Sequence, residues 1–388
     1  MVEIVKSIMT LFEREVMSLT KGTVVHITTV HTSFDTRIFY KECKSLVDKG
    51  YEVYLLHTES QDFDEKKFKD NNIKPILIEK QKKRIHRMFK SSKKALEAAL
   101  KIEADIYHIH DPELLLITSQ LKKTGATVIY DMHEDYYTSI IQKKYIPKPL
   151  RFLIANAFTI YERIKTRNLI IVLAEKYYGE KYPEGVPVLN YPILQESKTL
   201  SFEANNRLLY TGNVTKDRGA NIHAIIPSYV KGITVRFVGR CAKTLATEMM
   251  QHAGKQGALE FHGIDKFIPR EEIDKEYTNE KWLAGLAIFP PTEHYKKKEL
   301  TKFFEYMNAG LPIIASDFPE WRKFIEKHKC GILVKHDDNE QIKAAIDFLK
   351  NNPDKGLEMA KNGQNAVLEE LNWNREAEKL AELYEASI

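Results

Sequence analysis

One stretch of the sequence predicts both a local structure and a binding chemistry: Leu300-Thr-Lys-Phe-Phe-Glu-Tyr-Met-Asn-Ala-Gly-Leu-Pro-Ile-Ile-Ala-Ser-Asp-Phe-Pro319. Between Thr301 and Ala309 the apolar residues recur at steps of three and four, which is typical of a short helix, and Gly310 supplies its stop. The apolar run over residues 311–316 then indicates a buried strand. The stretch therefore predicts a helix followed directly by a strand, as in an α/β fold.

The first turn of this helix combines features that suit a diphosphate. Free backbone N–H groups and the positive end of the helix dipole lie beside Thr301 and the cation of Lys302. Glu305 lies one turn further along on the same face, so its carboxylate could accept hydrogen bonds from two ribose hydroxyls. On spacing alone, an exposed Lys/Glu pair on an ordinary amphipathic helix remains an equal alternative.

The whole string from Lys302 to Ser316 closely resembles the donor-binding signature of glycosyltransferase family 4. The resemblance implies the GT-B architecture, an α/β fold of two Rossmann-like parallel-sheet domains facing a cleft. It also implies that Glu305 holds the ribose of a nucleotide-sugar. The family pattern has another glutamate eight residues earlier, which contacts the donor sugar, but Lys297 stands there and neither Glu293 nor Glu299 is in register.

The composition sets the class of protein. A chain of 388 residues with 43% hydrophobic content is long enough for two domains with separate cores. Three widely spaced cysteines argue against a disulfide framework or a zinc site and favour a reducing compartment, by default the cytoplasm. No apolar run reaches the length of a membrane span, and the acidic residues among residues 1–20 are unlike a secretory signal. We expect a soluble or peripheral protein.

The net charge of +5 is mild, but basic residues concentrate between Glu79 and Lys94. This segment could face anionic lipid headgroups or a phosphorylated acceptor, at the inner face of a membrane. A solvated helix face is the alternative. Nucleic acid is not expected as a partner, because the basic residues are not interleaved with aromatic ones and no finger or helix-turn-helix pattern occurs.

The N-terminal part of the chain predicts a parallel sheet. Apolar residues at helical spacing within residues 4–17 predict an amphipathic helix ahead of a first strand at residues 23–30. Strand, loop, helix and strand then follow at the spacing of a βαβ unit. The loop from His31 to Arg37 would lie at the carboxyl end of a parallel strand, where open α/β sheets bind ligands.

Two residues of this loop carry alternative interpretations. Asp35 and Arg37 occupy the place of the Gly-Gly turn of many family 4 members, as in a subset of that family. Arg37 could bind a phosphate or another acceptor group, because a guanidinium forks onto oxyanions. Equally, Asp35 could cap the following helix and pair with Arg37.

Two later strands, ending at His110 and His133, resemble the His-x-His-Asp strand end of the family and its later strand that ends in a histidine. The resemblance implies that His133 corresponds to the active-site histidine that contacts the donor in several relatives, and that His110 and Asp111 line the same cleft. Metal binding is the competing interpretation. His108 and His110 alternate faces within a strand and no helical histidine pair exists, so we expect neither a metal nor another cofactor.

The domain limits follow from composition and resemblance. Residues 195–206 are polar and lack periodicity, which predicts a linker between a domain over residues 1–194 and one over residues 207–370. Residues 371–388 belong to a final helix, predicted around Glu369 to Ser387, that in GT-B relatives crosses back onto the first domain.

The second domain opens with a strand that ends at Gly212 and a loop that starts at Asn213. This segment resembles the Gly-Arg-Leu…Lys-Gly loop of the family, in which an Arg and a Lys clamp the diphosphate. Asn213 stands at the Arg position and Arg218 at the Lys position, so Arg218 would share the phosphates with Lys302. A plain turn around Arg218 is the alternative.

The next two strands end at Gly239 and Gly263, where the backbone can approach a ligand closely. In the family, the residues after the second of these glycines, beginning here with Ile264, usually meet the nucleobase.

The sequence thus predicts a retaining, hexosyltransferase-type glycosyltransferase. It would move a sugar from a nucleotide-diphosphate donor, a UDP-sugar in preference to a GDP-sugar, onto a glycan or a polyprenyl-diphosphate-linked acceptor in cell-surface polysaccharide assembly. A nucleotide-sugar epimerase of GT-B fold and a non-catalytic partner subunit are the alternatives. The catalytic candidates are His133, Arg218, Lys302 and Glu305; the donor-side candidates are Gly212, Asn213, Arg218, Gly239, Gly263, Ile264, Thr301, Lys302 and Glu305; the acceptor-side candidates are Asp35, Arg37, His110 and Asp111.

Overall fold

The computed structural model describes residues 20–60, 63–81, 86–143, 145–194, 202, 205–254, 258–279 and 281–388. The predicted helix within residues 4–17 and most of the predicted linker lie outside these ranges. The chain divides into two compact units, one formed by residues up to Asn190 together with Asn374–Ile388, and the other by Tyr191–Trp373.

The first unit contains a seven-stranded sheet in the order β3-β2-β1-β4-β5-β6-β7, and every pair of neighbours is parallel. Its strands are β1 (Thr23–Ile27), β2 (Glu52–Thr58), β3 (Ile73–Ile78), β4 (Ile106–Ile109), β5 (Thr127–Met132), β6 (Ile170–Leu173) and β7 (Val186–Pro187). Its α-helices up to residue 190 are α1 (Lys44–Asp48), α2 (Glu65–Asp70), α3 (Ser92–Ala99), α4 (Thr118–Lys122), α5 (Tyr136–Ile141) and α6 (Lys148–Thr166). Wider π turns span Thr36–Cys43 and Arg87–Ser91, and 3₁₀ turns span Pro112–Leu116 and Lys176–Glu180.

The second unit contains a six-stranded parallel sheet in the order β10-β9-β8-β11-β12-β13. Its strands are β8 (Arg207–Thr211), β9 (Thr234–Cys241), β10 (Leu259–Ile264), β11 (Ala284–Ala287), β12 (Ile313–Ser316) and β13 (Gly331–Val334). A 3₁₀ turn spans Lys216–Arg218. The helices are α7 (Ala220–Ala224), α8 (Ile226–Tyr229), α9 (Lys243–Ala253), α10 (Arg270–Asn279), α11 (Glu293–Lys296), α12 (Thr301–Asn308), α13 (Pro319–His328), α14 (Asn339–Asn351) and α15 (Pro353–Glu369), and α16 (Trp373–Glu385) ends the chain.

The predicted fold class is confirmed: the chain forms two α/β units, each built on a parallel sheet. The central strands of both sheets are largely apolar and buried on both faces, whereas the edge strands β3 and β10 are partly exposed. In each unit the strand order reverses once, between β1 and β4 and between β8 and β11. Open α/β sheets bind ligands beyond the carboxyl ends of the strands at such a reversal, so the topology marks one candidate site in each unit.

The last helix, α16, belongs largely to the first unit. Its Tyr384 is buried, with the hydroxyl 2.6 Å from Nδ1 of His108 in β4, and its Glu376 accepts a hydrogen bond from the Leu189 backbone N–H at 2.8 Å. The helix predicted around Glu369 to Ser387 is observed as α16, which begins at Trp373 and ends at Glu385. Leu371 and Asn372 separate it from α15, and the Asn372 side-chain amide donates to the carbonyls of Val367 and Leu368 at the end of α15.

Candidate active site

Three glycines lie at or just beyond the last residues of neighbouring strands of the second unit: Gly212 follows β8, and β9 and β10 continue past Gly239 and Gly263 to Cys241 and Ile264. Gly212, Gly239 and Gly263 all have positive φ, at 94°, 142° and 125°. A Cβ on Gly239 would lie 2.2 Å from the Gly212 carbonyl oxygen, and one on Gly263 would lie 2.4 Å from the Gly239 carbonyl oxygen. No side chain fits at the latter two positions, because the backbones of neighbouring strands approach each other closely there. Ile264, the last residue of β10, is exposed directly after them.

The cation predicted to bind phosphate, Lys302, is buried near the start of α12. Its side chain extends over the Tyr210 ring, with Nζ 3.5 Å from the ring centroid, and lies 5.0 Å from that of Phe289. Among the described residues, Nζ has no hydrogen-bond partner. Burial, and then the nearby positive charge of Arg218, hold the pKa of Lys302 well below its usual range. A buried amine without an acceptor is costly, which points to a ligand that supplies one.

The predicted partner cation, Arg218, ends the 3₁₀ turn Lys216–Arg218. Its Nε donates to the hydroxyl of Tyr295 at 2.9 Å, and that hydroxyl lies 3.2 Å from a carboxylate oxygen of Asp217. Gly219 closes the turn with φ +78°, and a Cβ there would lie 2.0 Å from the Ile288 carbonyl oxygen. The loop is therefore fixed against β11, with Arg218 held beside Lys302.

Glu305 is held by two side chains that sequence reasoning missed. Arg270, at the start of α10, pairs with Oε1, and Tyr277 donates to Oε2 at 3.0 Å. The Tyr277 hydroxyl also lies 2.8 Å from Oγ1 of Thr211, at the end of β8. The carboxylate is thereby oriented at the same strand ends as the glycines. No short motif could have identified Arg270, because it precedes Glu305 by 35 residues and meets it only in the folded unit.

The segment where the family pattern has its other glutamate carries no carboxylate in that role. Glu293 is exposed and pairs with Lys296 at 2.8 Å, while Lys297 follows the end of the short helix α11. Tyr295, from the buried side of that helix, is the residue that reaches Arg218. Asn213, at the other departure from the family pattern, is exposed, and its backbone carbonyl accepts the Tyr210 hydroxyl at 2.9 Å.

In the first unit, the centre of the site is an ion pair between Arg37 and Asp131. Arg37 Nε and Nη2 donate to the two oxygens of Asp131, each at 2.8 Å, and the arginine side chain is only 5% exposed. Asp131 also lies 3.2 Å from Nδ1 of both His110 and His133. Burial raises the pKa of Asp131, but the guanidinium of Arg37 and the hydrogen bonds from His110 and His133 together outweigh burial and keep that pKa well below its usual range. The predicted pairing of Arg37 with Asp35 is wrong, because Asp131 takes its place.

Asp35 is a helix cap, as one of the two interpretations predicted. Its carboxylate accepts the backbone N–H groups of Arg37 at 2.8 Å and Ile38 at 3.0 Å. The same side chain lies 3.2 Å from Nδ1 of His31. Asp35 therefore fixes both the start of the π turn and the orientation of the histidine before it.

A second layer of buried groups lies behind the ion pair. Nδ1 of His26 is 2.9 Å from Nε2 of His110, and the carboxylate of Glu42 lies 3.7 Å from the former and 3.8 Å from the latter. Burial, and then the charge of Asp131, raise the pKa of Glu42 well above its usual range, and burial lowers the pKa of His110 to about 3. Burial therefore disfavours the charged forms of both Glu42 and His110, and Glu42 also lies 3.0 Å from Nε of Arg37. Glu42 was not among the predicted site residues, since nothing in its local sequence distinguishes it from a surface acid.

The accessible edge of this cluster is formed by His31, His133 and Asp111. The Nε2 atoms of His31 and His133 lie 2.8 Å apart. Oδ1 of Asp111 lies 3.5 Å from Nε2 of His31. Both Nδ1 atoms lie beside carboxylates, Asp35 for His31 and Asp131 for His133. Two imidazoles so arranged need a proton between their Nε2 atoms. Burial lowers the pKa of His31, but the hydrogen bond to Asp35 and its charge outweigh burial and raise it to about 9, so His31 carries that proton at neutral pH.

Asp111 is fixed at the strand reversal itself. Its Oδ2 accepts from Oγ1 of Thr28 at 2.8 Å and from the backbone N–H of Thr29 at 2.5 Å. β1 ends at Ile27, three residues before the predicted end at residue 30. Oδ1 of Asp111 is buried and has no hydrogen-bond partner within the described residues. This carboxylate oxygen, at the point where the strand order reverses, can therefore accept a hydrogen bond from a group outside the cluster.

Three groups of side chains come close enough to hold a cation: His26, Glu42, His108 and His110; His31, Asp111 and His133; and His110, Asp131 and His133. The guanidinium of Arg37 already balances the buried acid charge of two of these groups, and the His31 proton fills the centre of the third. Within the described residues, the carboxylate oxygens of Glu42, Nε2 of His108 and Oδ1 of Asp111 have no hydrogen-bond partner, and the absence of a metal stays a prediction of the sequence.

Comparison with known proteins follows the same division of the chain. Residues 197–366 match the family model described as "Glycosyl transferases group 1", which covers less than half of the chain. No curated protein matches the chain in sequence. No helix among the described residues has the length and apolar character needed to cross a membrane.

Solved structures resemble the chain over almost its whole length. Sucrose-phosphate synthase from Thermosynechococcus elongatus superposes with a TM-score of 0.72 at 15% identity, covering 94% of this chain and 99% of that one. Anabaena HepE in complex with UDP-glucose gives 0.69 at 10% identity, covering 94% and 100%. WaaG, a glycosyltransferase involved in lipopolysaccharide biosynthesis, gives 0.67 at 14% identity, covering 93% and 99%.

These structures share the GT-B fold that the resemblance implied. The second unit of the chain carries a group 1 glycosyltransferase domain, and on the ground of that domain and of its two-unit GT-B fold the protein is a transferase enzyme.

Proposed function

We propose that the protein is a retaining glycosyltransferase that moves a sugar from a UDP-sugar onto a glycan or polyprenyl-diphosphate-linked acceptor in cell-surface polysaccharide assembly. The observation that carries this proposal is the buried amine of Lys302, which has no acceptor among the described residues and lies beside Arg218 at the start of α12. A diphosphate supplies the missing acceptor. The presence of UDP-glucose in the structure of HepE and the role of WaaG in lipopolysaccharide biosynthesis favour this donor and this class of acceptor.

The chemistry of the leaving group explains why two cations are needed. As the bond between the sugar and the diphosphate breaks, negative charge develops on the diphosphate. Lys302, Arg218 and the free N–H groups at the start of α12 stabilise that charge where it forms. Because the pKa of Lys302 is lowered in the unliganded protein, arrival of the anion restores its ammonium form. We therefore propose a transfer that needs no metal ion.

Glu305 is proposed to hold the ribose. Arg270 and Tyr277 each occupy one position on the carboxylate, which offers about four acceptor positions in all. Two remain for the 2′- and 3′-hydroxyls. The main-chain groups around Gly263 and Ile264 are proposed to meet the base, since no side chain fits at that glycine.

The first unit is proposed to act on the sugar and the acceptor. His133 contacts the donor sugar by resemblance, and Asp131 and the His31 imidazolium fix its ring from both sides. The unpartnered oxygen of Asp111 is proposed to accept an acceptor hydroxyl. Arg37 is too deeply buried in its ion pair to serve as a first contact, and we propose that it positions Asp131 instead. The protein would work in the cytoplasm, peripherally attached to the inner face of the membrane.

The test is a calorimetric titration of the purified protein with UDP, GDP, ADP and 2′-deoxy-UDP, repeated on Lys302→Ala and Glu305→Ala. We expect UDP to bind best, the lysine variant to lose at least about a hundredfold in affinity, and the wild type to prefer UDP over 2′-deoxy-UDP by about tenfold. The glutamate variant should lose that preference. Equal binding of the two nucleotides by the wild type would refute the role of Glu305.

Product analysis tests the reaction itself. With a UDP-sugar and an acceptor, the transferred sugar should keep its anomeric configuration, and a chelator should leave the rate unchanged. Conversion of the donor sugar into its epimer without any acceptor would instead identify a nucleotide-sugar epimerase. Absence of nucleotide binding in the wild type would refute the donor site.

A further inference from the structure

Helix α6, the 19-residue helix of the first unit, presents an apolar stripe to solvent. Five of its large aliphatic side chains are well exposed: Leu150 (44%), Leu153 (67%), Ile154 (38%), Ile160 (61%) and Ile164 (64%). At about 100° per residue they fall within a sector about 120° wide. Single exposed aliphatic residues are ordinary, but five in one stripe mark an interaction surface.

The opposite side of the same helix faces the core. Ala155, Glu162 and Thr166 are buried there, and the helical angles place them about 180° from the centre of the stripe. Glu162 ties the helix down, because its carboxylate accepts the hydroxyls of Tyr130 and Tyr182, each at 3.1 Å, and pairs with Lys181. The stripe is therefore held outward by fixed contacts on the inner side, and the helix cannot rotate to bury it.

The charges on α6 indicate what covers the stripe. The helix and its cap contain five cations and one acid, and that acid is the buried Glu162; the cations are Lys148, Arg151, Arg163, Lys165 and Arg167. Arg151 donates to the backbone carbonyls of Ile141 and Ile146, ahead of the helix. Arg163 and Arg167 are exposed on one edge of the stripe, and the partly exposed Lys165 lies on the other edge. An apolar stripe bordered by exposed cations without an exposed acid is the pattern of a helix that lies in the interface of an anionic membrane.

A second exposed apolar pair lies on the same part of the unit. Met88 and Phe89, in the π turn Arg87–Ser91, are 38% and 58% exposed, next to the exposed Lys90. Both this π turn and α6 pack against the 3₁₀ turn Pro112–Leu116. The two apolar surfaces thus share one supporting element, and the basic segment predicted from the sequence adjoins α6. Residues 82–85 of that segment lie outside the described ranges.

We propose that α6 docks the protein on an anionic lipid surface, with the stripe of Leu150, Leu153, Ile154, Ile160 and Ile164 inserted among the acyl chains near the headgroups. The exposed cations reach the headgroup phosphates by extending their long side chains outward from the stripe. Such attachment is reversible and peripheral, since the helix also carries buried polar anchors on its inner side. It does not depend on the transfer reaction proposed above.

The test is flotation of the full chain with vesicles of phosphatidylcholine alone or of an equal mixture with phosphatidylglycerol. The first variant replaces Leu153, Ile160 and Ile164 by serine. We expect the wild type to bind the anionic vesicles, and this variant to lose at least about tenfold in partition coefficient. Its UDP affinity and unfolding temperature should not change, because the three side chains are exposed.

A matched control replaces three exposed apolar residues of the second unit, Met250, Phe348 and Leu368, by serine. Their exposures, from 40% to 48%, are lower than those of the three replaced stripe residues, from 61% to 67%. They lie on three different helices and form no basic-edged stripe on one. Vesicle binding should remain at the wild-type level. A charge variant, Arg163→Gln with Lys165→Gln and Arg167→Gln, should lose about fivefold per charge on anionic vesicles only.

Two results would overturn the proposal. Equal binding of anionic vesicles by the wild type and the stripe variant would show that α6 is not the docking surface. A wild type that ignores vesicles but forms a dimer that the stripe variant dissociates would show that a second copy covers the stripe. Because UDP titration is carried out on the same samples, loss of the donor site would be seen separately.

Discussion

Replacing Lys302 by methionine is expected to make the protein more stable while removing its affinity for UDP. The amine is buried over the Tyr210 ring and has no hydrogen-bond partner among the described residues. Methionine fills a similar volume and brings no group that needs an acceptor. The site would then lose the cation that the diphosphate requires.

The size of the gain follows from two opposing contributions. A buried polar group without a partner costs about 1–3 kcal/mol. Contact of the cation with an aromatic face offsets up to about 2 kcal/mol of that cost. We expect a net stabilisation of about 1 kcal/mol near neutral pH, which raises the unfolding temperature of a unit of this size by about 2–4 °C.

The gain should depend on pH, because burial and the charge of Arg218 lower the pKa of Lys302 in the folded state. Between that lowered pKa and the usual value near 10.5, the unfolded chain binds one more proton than the folded one, so the stability of the wild type rises with pH there. Below this window both states are charged and the full penalty applies. The advantage of Lys302→Met should therefore be largest at low pH and shrink as the pH approaches 10.

Thermal unfolding at several pH values measures the gain, and Lys323→Met serves as the control. That lysine side chain is 72% exposed, so its removal should change stability by no more than about 0.5 kcal/mol at any pH. Calorimetry in two buffers of different ionisation enthalpy should show uptake of up to about one proton on UDP binding by the wild type. A destabilised Lys302→Met variant, or UDP binding without proton uptake at a pH where the free amine is neutral, would refute the reasoning.

Other predictions test the rest of the site. Asp131→Asn should destabilise the first unit by about 3–5 kcal/mol in chemical unfolding, because it leaves Arg37 buried without its main carboxylate; unchanged stability would show that Glu42 suffices as its partner. Gly239→Ala should lower both stability and UDP affinity, since a Cβ would lie 2.2 Å from a carbonyl oxygen, whereas Gly179→Ala, which meets nothing within 4 Å, should be close to neutral. Prolonged dialysis against a chelator should leave the unfolding temperature unchanged, and a drop would show that one of the histidine clusters holds a structural metal.

The fold could be predicted from sequence because its signals are local. Apolar strands alternate with helices at βαβ spacing, and that pattern restricts the topology to parallel sheets with right-handed crossovers. The exact ends of the strands could not be predicted in the same way, because they depend on contacts with residues far away in the sequence. β1 ends at Ile27 rather than continuing to Val30, since Asp111, more than 80 residues further on, draws the backbone of Thr29 away from the sheet.

The site could be predicted only where one short segment carries it. Lys302 and Glu305 belong to one helix turn, and the structure places them as their spacing indicates. Arg270 and Tyr277, which hold Glu305, come from another helix and carry no motif. The same is true of Glu42, which the π turn directs inward to the histidines. Such partner residues can be identified only from the folded structure, in which the order of the strands brings their helices and turns together.

The two units treat buried charge in opposite ways, and this difference indicates which of them binds the anion. In the first unit, the guanidinium of Arg37 is matched by the carboxylate of Asp131, so the cation has no charge left for a ligand. In the second unit, Lys302 is buried beside Arg218, and burial, followed by the positive charge of Arg218, lowers the pKa of the lysine. A fold keeps such a repulsion only if something relieves it in the working state. A bound diphosphate relieves this repulsion. Substitution of Asp131 in the first unit should therefore chiefly reduce stability, whereas Lys302→Met in the second unit should raise stability and abolish the affinity for UDP.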